Sequence, residues 1–272
     1  MILALIVLGV AIGLTLGALG AGGSILAVPV LVHVAGLSAT AATATSLVAV
    51  GSAAALAATG RRRNVRLDVA LWFVPTGVVG ALIGASVGSH LSDDALLMAF
   101  SALMLVAAHR MMATKPATPR SLSAAAHQPV ADHPLRAGTS TARSASGSTR
   151  RRGITLLAIA TAGGGVGFLT GLFGVGGGFV IVPALTVAVG LAMRPAIATS
   201  LVIVAANAVI ALTVRGVDAV DWPIAVALTV PMLAGSIVGA RFGRRINPDN
   251  ARRTFAALLV AVALVNAVAV VA

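Results

Sequence analysis

Two glycine clusters have the residue types and spacing best suited to chemistry in this chain. Gly20, Gly22 and Gly23, followed by Ser24, make the first; Gly174, Gly176, Gly177 and Gly178 make the second. Each opens a short apolar segment, and each is followed by a hydroxyl pair, Thr45-Ser46 or Thr199-Ser200. Glycine removes the side chain that would keep a ligand away from backbone N–H groups. A helix that starts at such a cluster presents unpaired N–H groups and the positive end of its dipole, which suits an anion. The hydroxyls add O–H donors, and Asn207, which is not repeated, adds an amide. The plainer alternative is structural. Serine and threonine in apolar helices bond back to a carbonyl one turn earlier, and glycines allow close helix crossings.

The clusters belong to a duplication. Gly17, Gly20, Gly22-Gly23, Pro29, Gly36-Leu37 and Thr45-Ser46-Leu47 return as Gly171, Gly174, Gly176-Gly177, Pro183, Gly190-Leu191 and Thr199-Ser200-Leu201, without a gap. Internal duplication inside an apolar chain is the mark of a transporter built from two halves, with its site where the halves meet. Matched hydroxyls beside matched glycine loops are therefore candidate ligand donors. His33 is alone on its segment, with Val187 as its counterpart, and reads either as a proton-coupling group or as a hydrogen-bonded core histidine. Pro29 and Pro183 are expected to kink or end the short helices.

Composition places the elements in a bilayer. Of the 272 residues, 58% are hydrophobic and 10% charged, and the mean hydropathy is +1.03. Soluble domains carry roughly 25% charged residues. The formal charge of +12 arises from Arg and Lys in loops between apolar runs, a positive-inside pattern rather than a nucleic-acid footprint. No nucleic-acid partner is expected. The first apolar run continues into the glycine motif and lacks a basic leader, so it reads as a mature helix rather than a signal peptide.

Apolar runs between breakers occur as two sets of five. The first set is 2–20, 24–36, 39–60, 67–90 and 94–112; the second is 153–173, 178–190, 193–214, 222–243 and 251–271. The expected fold is all-α, a polytopic transmembrane bundle of two inverted-topology repeats with short broken helices after the glycine-rich loops. Residues 1–112 form the first repeat and 153–272 the second. Between them, 113–152 is rich in Pro, Ser, Thr and Arg and is expected to be a disordered basic cytoplasmic linker. Gly80, Gly84, Gly88 and Gly235, Gly239, Gly243 are ladders expected to serve helix packing.

Loop charges set the orientation. Arg61-Arg62-Arg63 and Arg66 lie between the third and fourth segments of the first half, whereas Arg241, Arg244, Arg245, Arg252 and Arg253 lie between the fourth and fifth of the second. Basic loops at opposite positions require halves that face opposite ways, which an odd number of crossings per half delivers. Both termini then lie outside the cell and the linker inside, in the plasma (cell inner) membrane. The second segments are too short to cross, and glycine-rich backbone at membrane depth must be buried or line a wet cavity.

At these residues the sequence resembles a known family. Gly-x-x-Gly-x-Gly-Gly, then Pro, then Thr-Ser-Leu, present in both halves, is similar to the sulfite exporter TauE/SafE family of bacterial membrane proteins. The resemblance covers nearly the whole chain outside the linker. It implies a permease for sulfite, sulfoacetate or other small, often sulfur-containing anions. Ser24, where the second copy has Gly178, departs from the pattern and leaves the first loop less permissive.

The combined expectation is a secondary transporter for a small anion, sulfite or an organosulfur or carboxylate anion, working by alternating access. No charged side chain occupies the centre of any segment, which disfavours a cation or metal substrate. The alternatives are an anion channel without coupled transport and a membrane-embedded structural or assembly protein. An enzyme is not expected, because the apolar segments hold no paired acids or His-Glu sets, a phosphate-binding Gly-Lys loop is missing and the chain contains no cysteine. No cofactor or metal is called for. The expected partners are the small anion and the lipid bilayer, with a homo-oligomer left open.

Overall fold

Glycine punctuation and apolar run length dictate where helices start and stop. The computed structural model describes residues 2–20, 24, 26–88, 90, 93–113, 141–173 and 178–271. Ten α-helices are present among these residues, with no strand. They are α1 (Ile2–Leu19), α2 (Ala27–His33), α3 (Ala39–Thr59), α4 (Leu67–Gly88) and α5 (Asp93–Ala113) in the first half. In the second half they are α6 (Thr141–Phe173), α7 (Gly178–Pro183), α8 (Met193–Arg215), α9 (Trp222–Arg245) and α10 (Pro248–Val271). The protein is an all-α polytopic membrane protein. Ile2–Leu19, Thr40–Thr59, Leu67–Gly88, Met193–Val214 and Trp222–Gly243 are long and apolar enough to cross a bilayer. Large apolar side chains such as Leu71 and Leu157 point outward at 72% and 67% exposure, as a lipid-facing surface requires.

The short second helices end alike. Gly36 and Gly190 adopt φ of +69° and +75°, and the next residues donate back into the helix, Leu37 N–H to Leu31 C=O at 3.2 Å and Leu191 N–H to Leu185 C=O at 2.9 Å. The left-handed glycine turns the chain so that an otherwise unpaired carbonyl is satisfied. This explains the repeated Gly-Leu pair. Pro183 is the last α-helical residue of α7, and a π-helical stretch, Ala184–Ala188, follows it. Pro29, by contrast, lies in the first turn of α2, where its missing N–H costs nothing, so it does not end that helix.

One boundary differs from expectation. Residues 141–152, expected to belong to a disordered linker, form the beginning of α6. Adding residues to an existing helix costs far less than nucleating one, and Ala and Arg are good helix formers, so α6 extends backward from its apolar body. Residues 114–140 lie outside the described residues.

The halves interlock by exchange. The first helix of each half packs against the fourth of the other, α1 on α9 and α6 on α4, while α3 packs on α8 and α5 on α10. Glycines set the first two contacts. A Cβ at Gly13 or Gly17 would strike the carbonyl oxygens of Met232 and Ser236, and one at Gly235 or Gly239 those of Val10 and Leu14. In the matching pair, Gly80 and Gly84 face the carbonyls of Gly164 and Phe168, and Gly167 and Gly171 those of Gly77 and Ala81. The ladders are backbone-to-backbone packing surfaces, as expected, and in both pairs residue numbers rise together, so the paired helices run parallel.

Candidate functional site

A cavity of ≈ 290 Å³ opens between the halves. Its walls come from Ser24 and Val28 near the start of α2, the first half of α3, the middle of α4, the glycine face of α6, Phe179 of α7 and the second half of α8. Most of the lining is apolar. Among the described residues the polar groups lining it are Ser24, Thr43, Ser46, Thr170 and Asn207, with no ionisable side chain. At ~30 Å³ per water the volume holds on the order of ten water molecules, so it suits a small solute.

The expected site residues divide into three groups. Ser24, Ser46 and Asn207 line the cavity. The Asn207 Oδ1 is buried without a hydrogen-bond partner. An amide oxygen accepts, so a water or an O–H or N–H group of a ligand in the cavity would satisfy it. The Ser46 hydroxyl donates to the Thr43 carbonyl at 2.8 Å, and the Thr170 hydroxyl to the Val166 carbonyl at 2.7 Å. Those bonds back along the helix must be exchanged before either hydroxyl can donate to a solute.

Gly20, Gly178, Thr45, Thr199 and Ser200 are described but lie away from the cavity lining. Gly20, at φ +84°, lies where a Cβ would sit 2.8 Å from the Ser200 Oγ, so it brings the glycine motif of one half against the hydroxyl pair of the other. Ser200 itself is fully buried and donates to the Ile197 carbonyl at 2.9 Å. Gly178 is buried as the first residue of α7. Thr45 and Thr199 are fully buried too, and their hydroxyls accept backbone N–H groups from the opposite half, Asp221 at 3.2 Å and Arg66 at 3.0 Å. Their observed bonds are therefore structural ties between halves. Gly22, Gly23, Gly174, Gly176 and Gly177 lie outside the described residues.

Thr43 and Thr170 line the cavity and were not singled out by sequence. Their counterparts are Ile197 and Leu16, so reading for duplicated residues passes over them. Their signal is a hydroxyl one turn from Ser46, and a hydroxyl beside Gly171 in the α6 ladder. His33 is exposed, with Nδ1 3.0 Å from the Pro29 carbonyl, and does not face the cavity. Outside the spans, Arg66 pairs with Asp68 through two hydrogen bonds of 3.0 and 2.7 Å, and that bonding raises the guanidinium's pKa above its ordinary value. Both side chains are more than half exposed, so the pair contributes little to stability. No group of His, Asp or Glu that could hold a metal occurs among the described residues.

The fold is that of a polytopic helical membrane protein, and its relatives make it a membrane transport protein. The family described as Sulfite exporter TauE/SafE matches residues 5–265, and the chain belongs to it. Two relatives from Xylella fastidiosa, each a "probable membrane transporter protein", are similar along nearly the whole length. The strain Temecula1 protein is 32% identical and the strain 9a5c protein 33% identical, each over 259 residues that cover 93% of this chain and 90% of the relative. A probable membrane transporter protein of Methanocaldococcus jannaschii is 29% identical over 103 residues, covering 34% of this chain and 38% of its own. No solved structure matches.

Proposed function

We propose that this protein is a secondary transporter for a small anion, sulfite or a small organosulfur or carboxylate anion, which crosses by alternating access between two inverted repeats. The cavity carries this reading. It lies between the halves, is lined by hydroxyls and by the Asn207 amide, and has a volume suited to a small solute. No acidic group lines it among the described residues, which disfavours a cation. The family's description supports sulfite as the first substrate to test.

Contacts between equivalent helices support the inversion. Thr45, near the start of α3, meets Asp221 just past the end of α8, and Thr199, near the start of α8, meets Arg66 just past the end of α3. Midway, Gly51 faces Ala208. Equivalent helices thus run antiparallel, which is the relation produced by a two-fold axis in the membrane plane. Charge supports the orientation. Arg61 packs against Gly243, so the basic loop after α3 and the basic end of α9 meet at one end of the bundle, which we assign to the cytoplasm of the cell's inner membrane.

The test is a proteoliposome flux assay with sulfite, sulfate, sulfoacetate and acetate, with and without a pH gradient. Saturable flux of at least one anion, reduced by Asn207→Leu in protein that remains monodisperse, is the expected result. Absence of anion flux in every arm, or flux indifferent to Asn207→Leu, overturns the reading.

A further inference from the structure

The cavity has a counterpart position in the opposite repeat, and there the space is filled. Through the repeat, Asn207, Ala208 and Ala211 correspond to Ala53, Ala54 and Ala57, Thr170 to Leu16, and Gly77 to Met232. These five counterparts are at most 1% exposed. Equivalent contacts differ in the same sense, since α9 packs more extensively on α3 than α4 does on α8. The α1·α9 pair is shut against the central α3·α8 pair, and the α4·α6 pair stands off from it, leaving the cavity.

A buried arginine lies at the shut end. Arg61 follows α3 and is 4% exposed. Its Nη2 donates to the Gly17 carbonyl at 2.7 Å and the Ala18 carbonyl at 3.3 Å, in the last turn of α1, and it packs against Gly243 of α9. Carbonyls in a helix's last turn lack intrahelical donors and sit at the negative end of its dipole, so a guanidinium is well matched there. One side chain thus ties the end of a central helix to both members of the closed pair. The repeat places Arg215 at the end of α8, and it places Gly171, Leu172 and Gly88 at the positions of Gly17, Ala18 and Gly243. Every part of the latch exists twice.

We propose that Arg61 and Arg215 are alternating latches. Arg61 holds α1·α9 closed on α3 while the cavity is open. In the opposite state Arg61 releases, and Arg215 docks on the Gly171 and Leu172 carbonyls and closes α4·α6 on α8. The motion is a rocking of two glycine-packed pairs about the central antiparallel pair. This rests on the alternating-access part of the proposed function and is independent of which solute is carried.

Because the chain has no cysteine, single engineered thiols report the state directly. Ala57→Cys marks the shut side and Ala211→Cys the cavity. Each is introduced into otherwise unaltered protein, Arg61→Gln and Arg215→Gln, and labelled without substrate by a membrane-impermeant maleimide, position 57 in inside-out vesicles and position 211 in right-side-out vesicles. Arg61→Gln is expected to speed labelling at position 57 about tenfold and to slow it at position 211, as loss of charge-assisted bonds to the closed state shifts the population. Arg215→Gln should do the reverse or leave position 57 protected. Arg61→Lys, which retains charge and donors, should label nearly as the parent does. Unchanged labelling at position 57 in Arg61→Gln overturns the latch, and so does faster labelling at both positions, which marks a loosened fold. If Arg61→Gln fails to insert, Arg215→Gln decides alone: faster labelling at position 57 overturns the proposal. Labelling needs no flux, so failure of the anion reading is distinguishable from failure of the latch.

Discussion

The hydroxyl of Thr199 on α8 accepts the backbone N–H of Arg66 at 3.0 Å, across the boundary between the two halves. Thr45 repeats the contact with Asp221 at 3.2 Å. Asp221 also caps α9, its side chain accepting the Ile224 N–H at 3.1 Å, so the tie fixes where the fourth helix of that half begins.

Removing either hydroxyl takes the partner from a partly buried N–H, at a cost of about 1 kcal/mol. Thr45→Val and Thr199→Val preserve shape and should lower the melting temperature of the purified protein, while solute affinity in the surviving fraction stays near that of the parent. Reduced affinity with unchanged melting would return these residues to the binding site.

Much of the helical frame is legible in the sequence because its punctuation is strong. Glycine loops, Gly36-Leu37, Gly190-Leu191 and the run lengths fix most ends to within a few residues. The start of α6 is not legible, because a polar Ala- and Arg-containing tail can extend a helix it would not nucleate. The site is legible only in part. Duplication marks what both halves need, and Thr45 and Thr199 are needed by both as ties. The cavity belongs to one side of the repeat, so its unrepeated groups, Thr43 and Thr170, leave no such mark.

Asn207 and Thr170 therefore give a sharper binding test than the duplicated threonines. Asn207→Ala removes an amide whose Oδ1 has no partner within the protein, so stability should fall little or rise. Solute affinity should weaken roughly tenfold, the effect of about 1.4 kcal/mol. Thr170→Val should act in the same direction more weakly, because its hydroxyl must first leave the Val166 carbonyl. Titration of solute-dependent thermal stabilisation measures both; equal midpoints for parent and Asn207→Ala would remove the amide from the site.

The glycines separate into packing and turning roles. Gly84→Ala and Gly239→Ala place a methyl against the Phe168 and Leu14 carbonyls and should each cost about 1–3 kcal/mol. Gly165→Ala meets nothing within 4 Å and should be neutral within about 0.5 kcal/mol. Gly36→Ala and Gly190→Ala also meet nothing, yet their left-handed φ should cost about 1–2 kcal/mol. Melting of the four destabilised variants at or above that of Gly165→Ala would contradict the assignment.

The last prediction concerns topology. Arg61, just past the end of α3, donates to the end of α1, so α1 and α3 finish at the same end of the bundle and the α2 region must bring the chain back between them. The neighbouring Gly243 puts the end of α9 there as well. With that basic end in the cytoplasm, α1 runs inward and the N-terminus starts outside. After α9 ends inside, α10 carries the C-terminus out. The fourth helix of the first half starts beside Arg66 and runs outward, α5 returns, and the linker lies inside; α6 then leaves parallel to α4, as their glycine contacts require. A reporter fused before Met1 and one fused after Ala272 should therefore both read out as extracytoplasmic, and one inserted within 114–140 as cytoplasmic. A cytoplasmic signal from the C-terminal fusion, in protein that inserts stably, is incompatible with five elements per inverted half.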